Sequence, residues 1–204
     1  MAIQESPNWT GFHQAALGRP PRELLVRTLN FFAVEQRAPG VAVDLGCGSG
    51  PDTRELIRRG WQVHAVDSDP SGLELLRESI PPDRRTHLHI HVAPFQSFEF
   101  PLCDLIWASY ALPFCPIADW TALVRRAVAS LNVGGRMAGD IFGNKHAWAA
   151  ESDVLTLTEE DARAALRSLS LEAFDVEDGL RVSGNEKTRW HAFGFAACKE
   201  AGTP

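Results

Sequence analysis

Val41-Ala42-Val43-Asp44-Leu45-Gly46-Cys47-Gly48-Ser49-Gly50-Pro51 decides how this chain is read. An apolar run, Val41 to Val43, ends in an acid, Asp44, and glycine then recurs at alternate positions. Pro51 opens a segment of helical character, Asp52 to Arg59. Strand, glycine turn and helix in that order make the first βα unit of a nucleotide-binding sheet. Glycine lets the backbone turn with no Cβ in the way, so a ligand can lie directly on the chain. Proline suits the first turn of a helix, where its missing N–H is no loss. The helix start also aims free N–H groups and a positive dipole end at the turn.

The spacing discriminates between ligands. A dinucleotide fingerprint, G-x-G-x-x-G, would place its third glycine at position 51, which is Pro51. The chain instead has Gly46, Gly48 and Gly50 after Asp44. An acid followed by G-x-G-x-G resembles the first motif of class I methyltransferases that use S-adenosylmethionine. That ligand carries a cationic amino group and sulfonium and no pyrophosphate, so a carboxylate at the strand end suits it. The resemblance implies donor contacts at Asp44, Gly46, Cys47, Gly48 and Gly50. A nicotinamide-dependent oxidoreductase on a similar sheet is the alternative that the displaced third glycine argues against.

Gly60 ends the first helix, and Trp61 to Val66 reads as a second strand closing on Asp67. Asp67 stands about 20 residues past the glycine loop, where a nucleotide site wants an acid for the ribose hydroxyls. One carboxylate can accept from both hydroxyls at once. Ser68 joins Asp67 in the expected donor site, whereas Asp69, before Pro70, reads as the cap of a helix over Ser71–Ser79. His87 to Val92 alternates as a third strand, with His87, His89 and His91 on one face. No cysteine or acid cluster lies beside them, so no metal site is expected. In the family, the next loop contacts the adenine, often through an aspartate. Ala93-Pro94-Phe95-Gln96 has none, which leaves the Phe95 backbone or the Gln96 amide.

Cys103 to Ala108 reads as a fourth strand buried on both faces. It runs into Ser109-Tyr110-Ala111-Leu112-Pro113-Phe114, at the carboxyl edge where the reactive methyl belongs. Ser109 is counted with the donor site. The stretch is not N-P-P-Y, the pattern of enzymes that methylate exocyclic amines of nucleic-acid bases. Tyr110, the only tyrosine, is either a hydroxyl near the methyl or a core aromatic.

Before the sheet, Trp9, Phe12 and His13 precede a break at Gly18-Arg19-Pro20-Pro21, and Arg22 to Phe32 has helical spacing. Trp9 and Phe12 are either a lid over the ligand or a cover for apolar surface. After the fourth strand come a helix over Asp119–Leu131, a turn at Asn132–Gly135 and a fifth strand over Arg136–Ile141. That strand ends in Asp140, and the loop from Phe142 to Trp148 is a candidate substrate wall. Thr158 caps a helix running to about Ser168. Leu171–Glu177, a polar hairpin loop over Gly179–Glu186, and Lys187–Lys199 complete the sheet, with Trp190 and His191 near the last strand's start.

Taken together, W-x-x-F-H, D-L-G-C-G-S-G, S-Y-x-L-P-F, F-G-x-x-x-x-W and the late W-H are similar to small bacterial methyltransferases of the tellurite-resistance type. The resemblance implies an α/β fold: a three-layer Rossmann-like sandwich whose seven-stranded, mostly parallel sheet has its last strand antiparallel. Residues 1–204 read as one domain, with an N-terminal lid and helix region at 1–35 and the core sheet at 40–200. The implied activity is transfer of a methyl from S-adenosylmethionine to a small-molecule acceptor. Tyr110, His191 and His146 are the candidate proton acceptors, needed only where the acceptor must lose a proton. His191 beside Trp190 reads equally as a structural pair at a strand start. Trp148 and Trp9 are candidate walls of the acceptor site. A donor-binding sensor or partner subunit without catalysis is the second alternative.

Composition is that of an ordinary globular chain: 204 residues, 45% hydrophobic and 23% charged. A net charge of −6 argues against long nucleic-acid partners. The pairs Arg58-Arg59 and Arg125-Arg126 read as solvated helix faces. Four scattered cysteines with no C-x-x-C imply a reduced, cytoplasmic chain. No run is apolar for long enough to span a membrane, and no signal-peptide pattern is present.

Overall fold

The structure, a computed structural model, describes residues 9–183 and 186–202. Its elements run α1 (Trp9–Ala16), α2 (Glu23–Val34), β1 (Val41–Leu45), α3 (Pro51–Arg58), β2 (Gln62–Asp67), α4 (Pro70–Ser79), β3 (Leu88–Val92) and β4 (Cys103–Ala108). Then come α5 (Ile117–Ser130), β5 (Leu131–Gly143), β6 (Thr156–Leu157), α6 (Glu159–Ala165), β7 (Ser170–Ser183) and β8 (Glu186–Cys198). The sheet order is β3-β2-β1-β4-β5-β8-β7, with β6 paired to β5. All pairings are parallel except those of β8, which runs antiparallel to both β5 and β7. This is the expected Rossmann-like α/β architecture, with one strand more than expected. The extra strand is the two-residue β6 on Phe142–Gly143, too short to leave a periodic signal.

Alternation along the strands sorts the core into two layers. Ala42, Leu105 and Trp107 face α2, α3 and α4, where Leu25, Leu29, Leu56 and Leu76 are buried. Val43, Leu45 and Ile106 face α5 and α6, with Trp120, Leu123 and Leu166. Asp44 shares the face of Ala42, so its carboxyl lies under α3. Among the described residues no helix is long and apolar enough to cross a membrane.

Three boundaries differ from expectation for identifiable reasons. Asn132–Gly135 is no separate turn: α5 passes straight into β5, and these residues form an irregularity opposite Cys103–Leu105. His87 ends a 3-10 turn (Pro82–His87), so only His89 and His91 of the expected trio lie on β3. They pack against His64 of β2, whose Nδ1 is 3.0 Å from His91 Nε2. The expected loop over Gly179–Glu186 is strand on both sides of residues 184–185, which lie outside the described residues. β8 pairs β5 only from Ala192 to Cys198. The outer part of the β7–β8 hairpin therefore forms an arm beyond the sheet. An arm solvated on much of its surface buries no full face, so its polar sequence hides the strand.

At the opposite edge Arg136 is fully buried and bridges Glu35 of α2 and Glu172 of β7, while its guanidinium lies over Phe32. Removing a buried cation strands its partners. Arg136→Met should lower unfolding free energy by about 3 kcal/mol in urea titration, and an unchanged midpoint would show that the cluster is energetically neutral.

Candidate functional site

The carboxyl ends of β1, β2, β4 and β5 open onto one cavity of about 1250 Å³. Pockets for a single ligand typically measure roughly 300–1,000 Å³, so two molecules fit side by side. The cavity has two chemically different ends.

The first end is the glycine turn. Gly46, Gly48 and Gly50 have φ of 65°, 52° and 71°, which L side chains rarely adopt. Beneath them Asp44 is buried, accepting from the Thr53 hydroxyl at 2.5 Å. Asp52 is buried beside it and accepts from the Arg22 backbone N–H and the Trp107 indole, each at 2.9 Å. Burial pushes the Asp44 carboxyl well above the ordinary range; the charge of Asp52 adds to the push, and Thr53 opposes it. Burial raises Asp52 too. Carboxyls that repel one another in a low dielectric favour a cationic guest.

α1 is fastened over this turn. Ser49 donates to the His13 carbonyl and Arg54 to the Leu17 carbonyl, both at 2.8 Å. His13 Nε2 lies 3.3 Å from Asp69. A Cβ on Gly48 would sit 2.8 Å from His13 Nδ1, so the bare backbone is what lets α1 approach. The side chains of Trp9 and Phe12, on which the lid reading rests, lie outside the described residues.

Asp67 holds the rim. Its carboxylate accepts from the backbone N–H of Gly48 at 2.8 Å and of Asp69 at 2.9 Å. Further acceptor lone pairs remain on both oxygens. Asp69 caps α4 through the Ser71 N–H at 2.9 Å. Cys47, Ser68, Phe95 and Gln96 also line this end. Arg126 was expected on a solvated face. It instead donates to the carbonyls of Phe95, Gln96 and Phe98 at 2.9–3.1 Å and braces the loop over the cavity. Arg58 and Arg59 do sit on a helix face, both paired with Glu55.

The second end is aromatic, with Tyr110, Phe114, Phe142, Trp148 and Trp190 in its wall. Tyr110 has φ of 50°, a strained backbone for a bulky residue and a common mark of functional sites. Its ring lies 5.4 Å from Trp190 and 4.8 Å from the Arg22 guanidinium. Arg181, from the hairpin arm, donates to the Tyr110 hydroxyl at 3.3 Å and stacks 3.8 Å above Trp190. Arg19 and Arg22 line the cavity between the two ends, and burial with the neighbouring Arg22 charge lowers Arg19.

Behind Tyr110 lies Asp140, in a second cavity of about 640 Å³ that shares Arg19, Arg22 and Tyr110 with the first. Burial lifts the Asp140 carboxyl to about 7, against the opposing Arg22 charge, Tyr110 N–H and Ser109 hydroxyl. Burial and the Asp140 charge raise the Tyr110 phenol, so it remains protonated at neutral pH.

Of the residues expected from sequence, Asp44, Gly46, Cys47, Gly48, Asp67, Ser68, Phe95, Gln96, Ser109 and Tyr110 line the main cavity. Gly50, His146 and His191 do not. Gly50 precedes α3. His146 stacks on Phe142 at 3.9 Å and accepts from the Trp148 N–H; His191 accepts from the Lys145 N–H. Both histidines thus hold the loop that carries the wall. Asp52, Asp140 and the arginines escaped the sequence reading. Each sits in a stretch whose ordinary explanation, a helix start, a strand end or a polar loop, sufficed until the fold joined them.

Comparison with known proteins points one way. Residues 42–135 match a family model described as a methyltransferase domain. Trans-aconitate 2-methyltransferase of Rhodopseudomonas palustris (strain BisB5) is 32% identical over 123 residues, 59% of this chain and 43% of that protein. Magnesium-protoporphyrin O-methyltransferase of Rhodobacter capsulatus is 42% identical over 50 residues, 24% of this chain and 22% of the relative. The chain thus spans less than half the length of these curated relatives. Among solved structures, TehB from Haemophilus influenzae superposes with a TM-score of 0.73 at 15% identity, covering 86% of this chain and 62% of that one.

Asp140 gives a test of the site's electrostatics. In the folded chain it keeps its proton to about pH 7, whereas unfolded it ionises near pH 4. Between these values the unfolded chain binds fewer protons, so this group makes stability fall as pH rises, by at most about 4 kcal/mol. Asp140→Asn should remove that slope, its urea midpoint gaining on the parent's from pH 4 to 7. Parallel profiles would contradict the buried, protonated carboxyl.

Proposed function

We propose that the chain carries a methyltransferase domain of the class I, S-adenosylmethionine-dependent type and is an enzyme that methylates a small-molecule acceptor. The observation that carries this is the division of the cavity: buried carboxyls under a glycine turn at one end, an aromatic wall at the other.

The residues present fit S-adenosylmethionine. Asp44 and Asp52 are the carboxyls its cationic groups would meet, a cation there opposing the burial that raises their proton affinity, and Arg19, beside Asp52, takes its carboxylate. Asp67 accepts from the ribose hydroxyls while its backbone bonds fix its position. The Phe95–Gln96 loop, braced by Arg126, covers the base. Bound there, the donor would supply an activated methyl to the acceptor's lone pair, with sulfur as the leaving group that keeps the electron pair of the broken carbon–sulfur bond.

The sulfonium is already a good leaving group, so the chain's own task is alignment and exclusion of water. Tyr110, in its constrained backbone conformation, stands between the two ends and is the residue we place at the reacting atoms. Its protonated hydroxyl orients an acceptor as a hydrogen-bond donor. Asp140 behind it is tuned to accept a proton near neutral pH where the acceptor atom carries one. His146 and His191 set the position of Phe142, Trp148 and Trp190.

Calorimetric titration with S-adenosylmethionine, S-adenosylhomocysteine and NAD tests the reading. Micromolar binding of the first two and none of NAD is expected; binding of NAD alone overturns it. Asp67→Ala should weaken S-adenosylmethionine by at least about 100-fold, the loss of two charge-assisted hydrogen bonds. Unaltered affinity would remove Asp67 from the ribose site.

A further inference from the structure

Arg181 stands apart from the other charges of the cavity. It comes from the β7–β8 arm, whereas Arg19 and Arg22 come from the segment before α2. Its Nε and Nη2 are engaged with Glu177, and Nη2 also with the Tyr110 hydroxyl. Among the described residues Nη1 has no hydrogen-bond partner, which leaves two N–H donors on a side chain that lines the cavity. The pairing with Glu177 is a loose hold, since the two side chains are 42% and 48% exposed, and exposed ion pairs contribute little.

The surroundings define what those donors meet. The Arg181 guanidinium carbon lies 3.8 Å from the Trp190 ring centroid and 5.8 Å from that of Tyr110, and Trp190 in turn contacts Tyr110 and Phe142. With Nε and Nη2 held by Glu177 and Tyr110, the two Nη1 N–H groups are the donors left for a carboxylate, in a charge-assisted contact. The remaining wall of the cavity near Trp148 carries Glu151 and Asp153. An acid there repels an anion, so a bound carboxylate is favoured on the side of the arginines that line the cavity, and of these Arg181 is the one from the arm, in contact with Trp190 and the Tyr110 hydroxyl.

We propose that the methyl acceptor is a flat, largely apolar molecule bearing a carboxylate, and that Arg181 is the residue that selects for that carboxylate. The inference rests on the division of the cavity into donor and acceptor ends proposed above. Aromatic walls bury the body of the acceptor, and Arg181 binds its charge and turns the rest toward Tyr110. Arg181 is a specificity residue in this arrangement and takes no proton.

A matched pair of probes separates charge from shape: 2-naphthoate and 2-naphthamide, titrated by calorimetry into protein saturated with S-adenosylhomocysteine. Naphthoate should bind roughly 10- to 100-fold tighter than naphthamide, the worth of a charge-assisted contact. Arg181→Met should bring naphthoate down to the naphthamide level and leave naphthamide and S-adenosylhomocysteine affinities as they were. Arg181→Lys should restore part of the difference. The proposal falls if the two probes bind alike, if neither binds at millimolar concentration, or if Arg181→Met leaves naphthoate unaffected. If S-adenosylhomocysteine itself fails to bind, the donor reading falls, and the same titrations on the free protein still decide the arginine site. Loss of naphthoate binding in Arg19→Met but not in Arg181→Met would place the anion at the donor end and overturn the assignment.

Discussion

Asp44 accepts from the Thr53 hydroxyl and has two carboxyls near enough to raise its proton affinity, Asp52 and Asp67. Three acids around one glycine turn repel one another, and the structure answers with fixed donors. Asp52 receives the Trp107 indole from β4 and the Arg22 N–H from the segment before α2. Asp67 receives two backbone N–H groups of the turn and the β2–α4 connection. The sheet, the turn and the N-terminal segment are therefore tied together through acids. A cation placed among them weakens their mutual repulsion, and the elements they hold respond as a unit.

The molecule separates its stabilising and its working charges. At the amino edge of the sheet, Arg136 is buried with Glu35 and Glu172 over Phe32, a closed cluster that joins α2, β5 and β7. At the carboxyl edge, Asp140 is buried with no such bidentate partner, and Tyr110 holds a left-handed backbone. A strained backbone persists only where surrounding structure over-determines it. Here the parallel strands and the two-layer core supply that constraint.

Much of this was legible in the sequence. The run from Val41 to Pro51 gave the first βα unit because burial on both faces demands continuous apolar residues, and alternate glycines mark a turn no other residue makes cheaply. Asp67 was legible from its place at the end of the next strand, and the capping role of Asp69 from its local chemistry. What was not legible depends on contacts across the chain. Nothing near Arg126 in sequence says that it reaches the carbonyls of Phe95 and Gln96, some thirty residues back. His146 and His191 were candidate proton acceptors, His191 equally a structural partner of Trp190, and the backbone N–H groups of one loop that each accepts from were not visible in the sequence. Gly179–Glu186, within the β7–β8 arm, was read as a loop because solvated strands carry no one-sided hydrophobic period.

That arm changes how the two ends of the cavity relate. The glycine turn, Asp67 and the covering α1 all come from the first third of the chain, whereas Trp190 and Arg181 come from its last quarter. They meet chiefly at Tyr110, whose ring contacts Trp190 and whose hydroxyl meets Arg181, while its N–H faces Asp140. Substitutions on the arm can reshape the aromatic end without touching the buried acids that hold the turn. The reverse is not true of Tyr110: its backbone is constrained by β4 and by Asp140, so any change there is felt at both ends. One constrained residue between two independently built walls is what allows a fixed donor geometry to serve an adjustable acceptor pocket.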